Sequence, residues 1–338
     1  MKAAIVGCGS IANVHAASIL KMQEHELVAA ADIKIDKAIE FTRKFGGRPY
    51  ASLEEMLAQE EIDVLHICTP HYLHTPMAIY VLEQDVNVFM EKPPVISFQQ
   101  LKQLKNMKTS KKLGFCFQNR YNPSVIKVKE MLASGETGKI LGARGIVTWN
   151  RDEEYYSQSD WRGKLHTEGG GALINQSIHT LDLLHYFVTD TPKTIDAMMT
   201  NHHLKEKIEV EDTLSAYITY EESRVNFYTT TSYVVNSAPF IELECENMRI
   251  RMEDMALQCY LPDGSNRTID IDHKVGFGKS YWGSGHEDCI KDFYDSIMNK
   301  RRFLQDLEGV EDTIRLMLLI YKAARSGREQ SWDEEENS

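Results

Sequence analysis

The sequence predicts an α/β protein with two domains, and three observations support this fold class. Over 1–121, apolar runs alternate with amphipathic helical segments, which is typical of a doubly wound parallel sheet. Over about 193–272, apolar residues alternate as in strands, which indicates an α+β domain with a large, open and mostly antiparallel sheet. The length of 338 residues exceeds what one hydrophobic core usually organises. We therefore expect a first domain at 1–121 and a second domain at 122–305.

The composition limits the classes of function and of partner. A hydrophobic content of 42% supports a sizeable core. The formal net charge of −12, from 38 basic and 50 acidic residues, argues against nucleic acid or an anionic membrane as a partner. The sequence has no uncharged apolar run of about 18 residues, and glycine interrupts the first apolar run too soon for a signal peptide. The six cysteines form no C-x-x-C pair, and we expect reduced thiols in a cytoplasmic protein.

The first predicted element is a short strand that ends in a glycine-rich turn and continues into a helix. The turn consists of Gly7, Cys8, Gly9, Ser10, Ile11 and Ala12. Gly7 permits a tight turn, Gly9 lets the backbone approach a pyrophosphate, and Ala12 is small enough for the helix to pack on the strand. The first N–H groups of the helix would face the phosphates. This pattern predicts a dinucleotide-binding turn, and the alternative is a purely structural βαβ unit.

An acidic residue ends the second predicted strand. The apolar run 27–31 closes on Asp32, which lies 20 residues after Ala12. At this spacing a carboxylate can accept hydrogen bonds from both ribose hydroxyls of a dinucleotide. Its charge would repel a 2′-phosphate, which favours NAD over NADP, although Lys34 could serve as a phosphate contact. We therefore expect NAD as the cofactor.

Strands and helices continue to alternate through the first domain. Strands are predicted at 64–68, 87–90 and 113–117, and helices at 34–45, 52–59, 75–83 and 101–108. In an open parallel sheet, ligands bind beyond the carboxyl ends of the strands. This rule places Thr69, Lys92 and Gln118 at the same sheet edge as Gly7 and Asp32.

The pattern changes after about residue 121. Helices are predicted at 123–134, from the glycines at 169–171 to about 187, from 285 to about 297, and at 306–325, and strands at 140–149, 194–200, 212–220, 224–231 and 240–246. The polar and aromatic segment 151–164 predicts an irregular loop over the site. The last helix is amphipathic, and we expect it to pack back on the first domain.

Tyrosines occur on the second face of the predicted antiparallel sheet. On one strand Tyr217 lies opposite Leu214, Ala216 and Ile218, and on the next strand Tyr228 alternates with Phe227. A solvated face is rarely rich in tyrosine, so we interpret this face as an oligomer contact of a homodimer or homotetramer. The alternative is the ordinary preference of tyrosine for strands.

Several motifs occur together in a specific order. They are Gly7-x-Gly9-x-x-Ala12, Thr69-Pro70 with His74, Glu91-Lys92-Pro93, and Gly169-Gly170-Gly171 followed by His179 and Asp182. With these motifs the chain resembles, from residue 1 to about 321, the glucose–fructose oxidoreductase/inositol dehydrogenase/MocA (Gfo/Idh/MocA) oxidoreductases. The resemblance implies a Rossmann domain and a C-terminal domain with a large open sheet. It also implies NAD(P)-dependent oxidation or reduction of sugars, cyclitols and their derivatives, in dimers or tetramers.

Lys92 is the first candidate catalytic residue. Oxidation of a secondary alcohol needs a hydride acceptor and a base for the hydroxyl proton. The resemblance implies that the lysine of the Glu-Lys-Pro motif donates to the substrate oxygen, and an oxidised nicotinamide nearby would lower the pKa of its ammonium group. It also suggests a cis Lys92–Pro93 peptide bond. The alternative for Lys92 is an exposed lysine in a proline turn.

His179 is the second candidate, and Asn175 is the third. By resemblance His179 is the catalytic histidine, and a regular helix would place Asn175 and Asp182 on its face. The alternative is a buried histidine that is hydrogen-bonded to Asp182. Many inositol dehydrogenase relatives have Asp at the position of Asn175, and an amide cannot take a proton. Asn175 can still bind a substrate hydroxyl, but the change leaves open whether Lys92 or His179 is the base.

The remaining site predictions rest on the resemblance. Trp161 and Arg162 would border the nicotinamide and the substrate, although Arg162 could instead hold its loop to Glu168. His71 and His74 have the spacing of two metal ligands, but the sequence offers no obvious further ligand, so we expect no metal. We assign cofactor binding to Gly7, Gly9, Ser10, Ile11, Asp32, Thr69, Pro70, His74, Glu91, Lys92, Gln118, Trp161 and Arg162.

Three classes of function are compatible with these motifs. The first is a dehydrogenase that reversibly oxidises a secondary alcohol of a sugar or polyol. The second is an NAD-dependent glycosidase, in which bound NAD oxidises the sugar only transiently. The third is a non-catalytic regulator that senses a dinucleotide, against which the intact Lys92 and His179 argue.

Overall fold

The computed structural model describes residues 1–253, 256–271 and 284–333. These residues belong to two units. Unit 1 contains 1–118 and 284–312, and unit 2 contains 119–253, 256–271 and 313–333. Each unit is described separately below.

Unit 1 is built on a parallel sheet, which confirms the predicted fold class. Its described strands are Lys2–Val6 (β1), Glu26–Ala31 (β2), Arg48–Tyr50 (β3), Val64–Ile67 (β4), Asn87–Met90 (β5) and Leu113–Phe115 (β6). They lie in the order β3-β2-β1-β4-β5-β6, and every neighbouring pair is parallel. The direction of winding reverses between β1 and β4, and the crevice beyond the carboxyl ends of these strands is where doubly wound sheets bind dinucleotides.

Helices connect the strands of unit 1. They are Ser10–Lys21 (α1), Ile35–Phe45 (α2), Leu53–Gln59 (α3), His71–Glu83 (α4) and Phe98–Lys105 (α5). Helix α3 has its predicted cap, since the hydroxyl of Ser52 accepts a hydrogen bond from the N–H of Glu55 at 3.1 Å. Helix α4 begins four residues before its predicted start at 75, because Pro70 has the extended backbone of an N-cap and the helix follows it at once.

Unit 2 contains a large, mostly antiparallel sheet, which confirms the predicted class of the second half. Its elements in chain order are Pro123–Ser134 (α6), Ile140–Thr148 (β7), Glu153–Ser157 (α7), Leu165–Glu168 (α8), a π-helical turn at Ala172–Ser177, Ile178–Phe187 (α9), Pro192–Thr200 (β8), Thr213–Tyr220 (β9), Arg224–Thr230 (β10), Phe240–Cys245 (β11), Arg249–Glu253 (β12), Ala256–Tyr260 (β13) and Asn266–Ile269 (β14). The described strands lie in the order β14-β13-β12-β11-β7-β10-β9-β8, followed by Gln330–Ser331 (β15) at the edge. Only β7 and β10 are parallel neighbours among these described strands.

One face of this sheet is covered by helix α9, and the other carries exposed side chains. A Cβ on Gly145 of β7 would lie 2.7 Å from Leu184 of α9, so glycine allows the helix to approach the strand closely. On the opposite face Tyr217, Tyr228 and Met198 are 40%, 38% and 65% exposed. The predicted oligomer contact therefore corresponds to an accessible face of this unit, on which Arg144 and Asp196 lie near the tyrosines. The contact itself stays a prediction.

The segment 151–164, predicted to be irregular, contains the short helix α7. The carboxylate of Asp152 accepts a hydrogen bond from the N–H of Tyr155 at 2.9 Å and caps this helix. The sequence analysis did not predict α7, because five residues are too few to show a helical period.

Residues 284–305 belong to unit 1, whereas the sequence pattern predicted this segment as part of the second domain. Helix α10 (His286–Met298) packs on α1, and the ring of Phe293 lies 5.1 Å from that of Phe89 in β5. Amphipathicity alone did not show which sheet this helix covers. The last helix, Leu307–Ser326 (α11), begins in unit 1, and its residues from Thr313 onward belong to unit 2.

All six cysteines are free thiols. Among residues 1–253, 256–271 and 284–333, no helix has the length and apolar character needed to cross a membrane.

Candidate functional site

The glycine turn after β1 has the geometry that the sequence predicted for it. Gly7 has a φ of +89°, and a Cβ there would lie only 2.6 Å from the carbonyl oxygen of Cys68. Gly9 differs, because a Cβ at this position would have no atom within 4 Å. Gly7 is therefore required by the fold, whereas Gly9 leaves open space above the backbone, which fits a pyrophosphate.

The N-terminus of helix α1 faces this turn. Gly9 is the N-cap, no side chain caps the helix, Ser10 is exposed and Ile11 is half-buried. The first N–H groups of the helix thus resemble the anion-binding helix ends found in dinucleotide sites.

The carboxylate of Asp32 is held beside the turn. One oxygen accepts a hydrogen bond from the N–H of Cys8 at 2.9 Å, and the other accepts from the N–H of Lys34 at 2.8 Å. The side chain is half-buried, and each oxygen has a second lone pair for a further donor. Asp32 is thus oriented by its neighbours, and its carboxylate acceptor beside the N–H donors of helix α1 fits NAD.

His74 links the loops that follow β4 and β5. Its Nε2 lies 2.8 Å from the carbonyl oxygen of Thr69, and its Nδ1 lies 2.8 Å from the carbonyl oxygen of Pro93. The ring is buried, and this burial lowers its pKa despite the two carbonyl contacts. The structure gives His74 a bracing role between Thr69-Pro70 and Pro93, and its predicted contact with the cofactor stays a prediction.

Lys92 follows β5 at the carboxyl edge of the sheet. It is half-buried, and the Lys92–Pro93 peptide bond is cis, as the resemblance suggested. Its N–H donates to Glu91 Oε2 at 3.2 Å. The other oxygen of Glu91 lies 2.9 Å from His15 Nε2, and both side chains are buried.

The His15–Glu91 contact is a buried ion pair. Burial opposes ionisation of both groups, but the hydrogen bond and charge of His15 hold the pKa of Glu91 well below its usual range. Against the same burial, hydrogen bonds with Cys116 and Glu91 raise the pKa of His15 to about 9. One nitrogen of His15, one oxygen of Glu91 and the sulfur of Cys116 lie within 4.8 Å of one another. Three such atoms could also bind a metal ion. We interpret it as an ion pair, because the His15–Glu91 hydrogen bond already joins two of these atoms.

This ion pair continues into a buried chain of hydrogen bonds. His15 Nδ1 lies 2.9 Å from His66 Nδ1, and His66 Nε2 lies 2.9 Å from the hydroxyl of Tyr294. Burial lowers the pKa of His66 well below its usual value, so the charged His15 is the donor to a neutral His66. This network was not predicted from the sequence, where its one signal is the histidine inside the apolar run 64–68. Gln118, another predicted site residue of unit 1, is buried after β6.

The three glycines of unit 2 are required by the elements packed against them. A Cβ on Gly170 would lie 2.1 Å from the hydroxyl of Tyr321, and one on Gly171 would lie 2.1 Å from the carbonyl oxygen of Glu211. Gly169 has a φ of +86° and ends helix α8. The glycine run thus marks a close approach of two backbones rather than flexibility.

A buried carboxylate, Glu211, binds N–H groups at the end of the glycine run and just after it. It accepts hydrogen bonds from the N–H of Gly171 at 2.8 Å, the N–H of Leu173 at 3.0 Å and the hydroxyl of Tyr321 at 2.8 Å. Burial raises its pKa, and these three donors oppose the rise. Because Glu211 is 38 to 40 residues away along the chain, local pattern gave no sign of this role.

A regular helix was predicted from the glycines at 169–171 to about 187. The structure has a π-helical turn at Ala172–Ser177, which contains Asn175, before the regular helix α9 begins. Asn175 Nδ2 lies 2.5 Å from Glu168 Oε1 and 3.4 Å from the hydroxyl of Tyr155. Gln176 Nε2 donates to the same hydroxyl at 2.8 Å. A single π turn inside a helix is often found at a functional site.

Glu168 is a buried carboxyl group that the sequence analysis did not include in the site. Its Oε2 accepts a hydrogen bond from the N–H of Gly163 at 2.5 Å, while Oε1 contacts Asn175. Burial raises the pKa of Glu168 to about 7, although hydrogen bonds from Asn175 and Gly163 act in the opposite direction. A carboxyl group therefore lies beside the position where Asn175 itself provides none.

Arg162 and Trp161 lie in the same part of unit 2. The guanidinium of Arg162 lies 4.4 Å from the ring centre of Tyr155, and its Nη1 donates to the Tyr155 carbonyl at 3.3 Å. The carbonyl of Trp161 accepts a hydrogen bond from Thr167 at 2.6 Å. Both predicted residues are half-buried, and the Arg162 guanidinium lies 5.5 Å from the ring centre of Trp161. Their contact with a nicotinamide stays a prediction.

His179 lies in the first turn of α9 and is half-buried. Asp182, the suggested partner of His179, binds other groups: Arg120 donates to both of its oxygens at 2.9 and 2.6 Å, and Thr313 donates at 2.8 Å. The sequence did not predict the role of Arg120, because its separation of 62 residues from Asp182 leaves no local pattern.

The three candidate catalytic residues are divided between the two units. Lys92 belongs to unit 1, and Asn175 and His179 belong to unit 2.

Comparison with known proteins identifies the chain's relatives. Residues 1–118 match the model of an oxidoreductase family with an NAD-binding Rossmann fold, and 125–251 match the GFO/IDH/MocA C-terminal domain. Glucose-6-phosphate 3-dehydrogenase of Bacillus subtilis is 27% identical over 218 residues, 62% of this chain and 61% of that protein. D-Glucoside 3-dehydrogenase of Escherichia coli is 31% identical over 195 residues, 55% of this chain and 53% of that protein. The matches thus span little more than half of these curated relatives.

A solved structure matches nearly the whole chain. The WlbA dehydrogenase from Bordetella pertussis, in complex with NADH and UDP-GlcNAcA, superposes with a TM-score of 0.85 at 26% identity, covering 99% of both chains. Together with the two domain models, this match shows that the chain belongs to the Gfo/Idh/MocA oxidoreductase family.

Proposed function

We propose that the chain is an NAD-dependent dehydrogenase that oxidises a secondary alcohol of a sugar or sugar derivative to the ketone. The observation that carries the cofactor assignment is the Asp32 carboxylate, held by the N–H groups of Cys8 and Lys34 beside the open turn at Gly9. The names of the two curated relatives support a sugar or sugar derivative as substrate.

The residues of unit 1 would bind the dinucleotide and supply one proton-transfer group. Asp32 would accept from the ribose hydroxyls, and the turn from Gly7 into helix α1 would bind the pyrophosphate. NAD supplies the hydride acceptor when bound. Lys92 would hold the substrate oxygen, and the His15–Glu91 ion pair would fix the backbone that carries it.

The residues of unit 2 would bind the substrate and supply the second candidate base. His179 is the second acid/base candidate, because imidazole titrates near neutral pH. Asn175 would hydrogen-bond a substrate hydroxyl without taking its proton. An amide oxygen accepts hydrogen bonds but does not become protonated near neutral pH. Trp161 and Arg162 would border the site.

The decisive experiment is a screen for NADH formation. The purified chain would be incubated with NAD and a panel of sugars, sugar phosphates, sugar acids, glycosides and inositols, and absorbance followed at 340 nm. We expect net NADH formation with at least one sugar derivative, and a loss of at least about 100-fold in kcat for Lys92→Ala and for His179→Ala. Lys108→Ala, which changes an exposed lysine of the same unit, should leave the rate unchanged.

The screen also separates the two other classes of function. An NAD-dependent glycosidase would release a sugar from a glycoside without net NADH. A dinucleotide-sensing regulator would bind NAD in a titration but turn over nothing. Turnover that is unaffected by Lys92→Ala would contradict the proposed role of this lysine.

A further inference from the structure

We infer that Glu168 is a positioning residue that orients the Asn175 amide through the hydrogen bond between Asn175 Nδ2 and Glu168 Oε1. The inference deepens the proposed function and rests on it for the role of Asn175 toward the substrate. Glu168 is 1% exposed and lies 2.5 Å from the amide, and its second oxygen is anchored by the N–H of Gly163.

The chemistry of the two groups determines the orientation. A carboxylate can only accept hydrogen bonds, so it must face the NH2 end of the amide. The carbonyl end of Asn175 then points away from Glu168, as an acceptor for a hydroxyl donor. The hydroxyl of Tyr155 reinforces this arrangement, because it accepts from Asn175 Nδ2 at 3.4 Å and from Gln176 Nε2 at 2.8 Å.

Protonation of Glu168 would reverse this preference. Because Oε2 accepts from the N–H of Gly163, the proton of a neutral carboxyl group would lie on Oε1, which faces Asn175. This O–H group is a donor and would seek the amide oxygen instead of the NH2 group. Burial brings the pKa of Glu168 to about 7, so both forms are accessible near neutral pH. The orientation of Asn175 would therefore change with pH near 7.

The surroundings of Glu168 contain groups of both signs. Burial is the largest influence on its pKa, the charge of Glu211 also raises the pKa, and that of Arg162 lowers it. Among the described residues, Tyr155 and Tyr156 of α7 also interact with its charge, and Arg325 of α11 donates to the carbonyl of the neighbouring Gly169. Since both tyrosines have pKa values raised above the usual value of a phenol, they stay neutral in the range where Glu168 titrates.

Nuclear magnetic resonance tests the orientation without any ligand. The chain would be labelled with 15N-asparagine, and the side-chain signals of Asn175 identified by their absence in Asn175→Asp. We expect these signals to shift between pH 5 and 9 with a midpoint near 7, to lose this shift in Glu168→Gln, and to keep it in Glu209→Gln. Glu209 is a matched control, because this exposed carboxylate binds the nearby N–H of Leu165. Signals that are independent of pH, or that titrate unchanged in Glu168→Gln, would overturn the inference.

An exchange of the two groups gives a second, kinetic test. Glu168→Gln should lower kcat by on the order of tenfold with KM little changed, which is the size expected for one hydrogen bond to a charged group. The double variant Glu168→Gln/Asn175→Asp restores an amide–carboxylate pair of opposite polarity, and the amide oxygen introduced at position 168 can still accept from the N–H of Gly163. We expect it to be more active than Glu168→Gln alone, and a double variant no better than the worse single variant would overturn the inference. If no member of the sugar panel gave net NADH, the proposed function would fail instead, and the resonance experiment would still decide the Glu168–Asn175 relationship.

Discussion

The Nε2 atom of His15 lies 2.9 Å from Oε1 of Glu91, and both side chains are buried. The two residues are 76 positions apart, one in the helix after the glycine turn and the other at the end of β5. This ion pair therefore connects the element that we assign to the dinucleotide phosphates with the segment that carries Lys92.

Replacing the acidic partner should destabilise the chain strongly. Glu91→Gln leaves His15 in a buried site without its counter-charge, and breaking a buried pair in this way costs on the order of 3–5 kcal/mol. Guanidinium unfolding followed by tryptophan fluorescence measures the change. Glu61→Gln, at an exposed ion pair with Lys2, is the control and should leave the midpoint almost unchanged. Equal midpoints for the two variants would show that the buried pair contributes nothing.

The pH dependence of stability should reveal the charge on His15. Its pKa is about 9 in the folded chain against 6.5 for an ordinary histidine. The stabilisation is therefore fully present below about pH 6.5 and is lost as the pH rises through about 9. We expect the unfolding midpoint of the natural chain to fall over this window and that of His15→Gln to fall less. Equal slopes for both proteins would contradict a charged His15.

The two glycines of the first turn should respond differently to alanine. Gly7→Ala should lower stability and dinucleotide affinity together, because the new Cβ meets the Cys68 carbonyl at 2.6 Å and φ is positive. Gly9→Ala should leave the unfolding midpoint nearly unchanged, since nothing lies within 4 Å, and should weaken NAD binding by at least about tenfold. Thermal unfolding and calorimetric NAD titration of both variants provide the comparison. Unchanged NAD affinity in Gly9→Ala would contradict the assigned phosphate site.

Asp32 should determine the preference for NAD over NADP. The carboxylate would bind the ribose hydroxyls of NAD and repel a 2′-phosphate, so we expect a higher kcat/KM with NAD. In Asp32→Ala the preference should shift toward NADP by about tenfold or more, because the repulsion is removed and Lys34 remains next to the site. Asp36→Ala, an exposed carboxylate in the first turn of α2, is the control. A higher kcat/KM with NADP in the unaltered chain would show that the interpretation of Asp32 is wrong.

The exposed sheet face of unit 2 should mediate self-association. Tyr217 and Tyr228 are about two-fifths exposed on neighbouring strands and lie beside Met198, which is 65% exposed. We expect a dimer or tetramer by light scattering, and dissociation in the double variant Tyr217→Glu/Tyr228→Glu. Leu304→Glu, at an exposed apolar residue of unit 1, should not dissociate it. A monomer at micromolar concentration in the unaltered chain would contradict the prediction.

The sequence predicted those parts of the fold and site that depend on local spacing. The glycine turn, Asp32 and the strand ends before Thr69 and Lys92 all follow from short-range patterns of glycine, charge and apolar residues. The doubly wound sheet follows because strands and helices alternate at a regular interval.

The remaining features depend on contacts between residues that are distant along the chain, or on departures from a regular period. Glu211 binds the backbone near Gly171 from 40 residues away, and Arg120 binds Asp182 from 62 residues away. The π-helical turn breaks the 3.6-residue period on which the expected shared face of Asn175, His179 and Asp182 was based. The assignment of helix α10 to unit 1 depends on aromatic packing with Phe89, which amphipathicity alone does not specify.

A crystal structure of the chain with NAD and the sugar identified in the screen tests the central claim most directly. The account predicts both ribose hydroxyls on Asp32 and the pyrophosphate at Gly9. It also predicts Lys92 Nζ and a ring nitrogen of His179 within about 3.2 Å of the same substrate hydroxyl. A dinucleotide bound elsewhere, or a substrate hydroxyl that neither residue reaches, would contradict it.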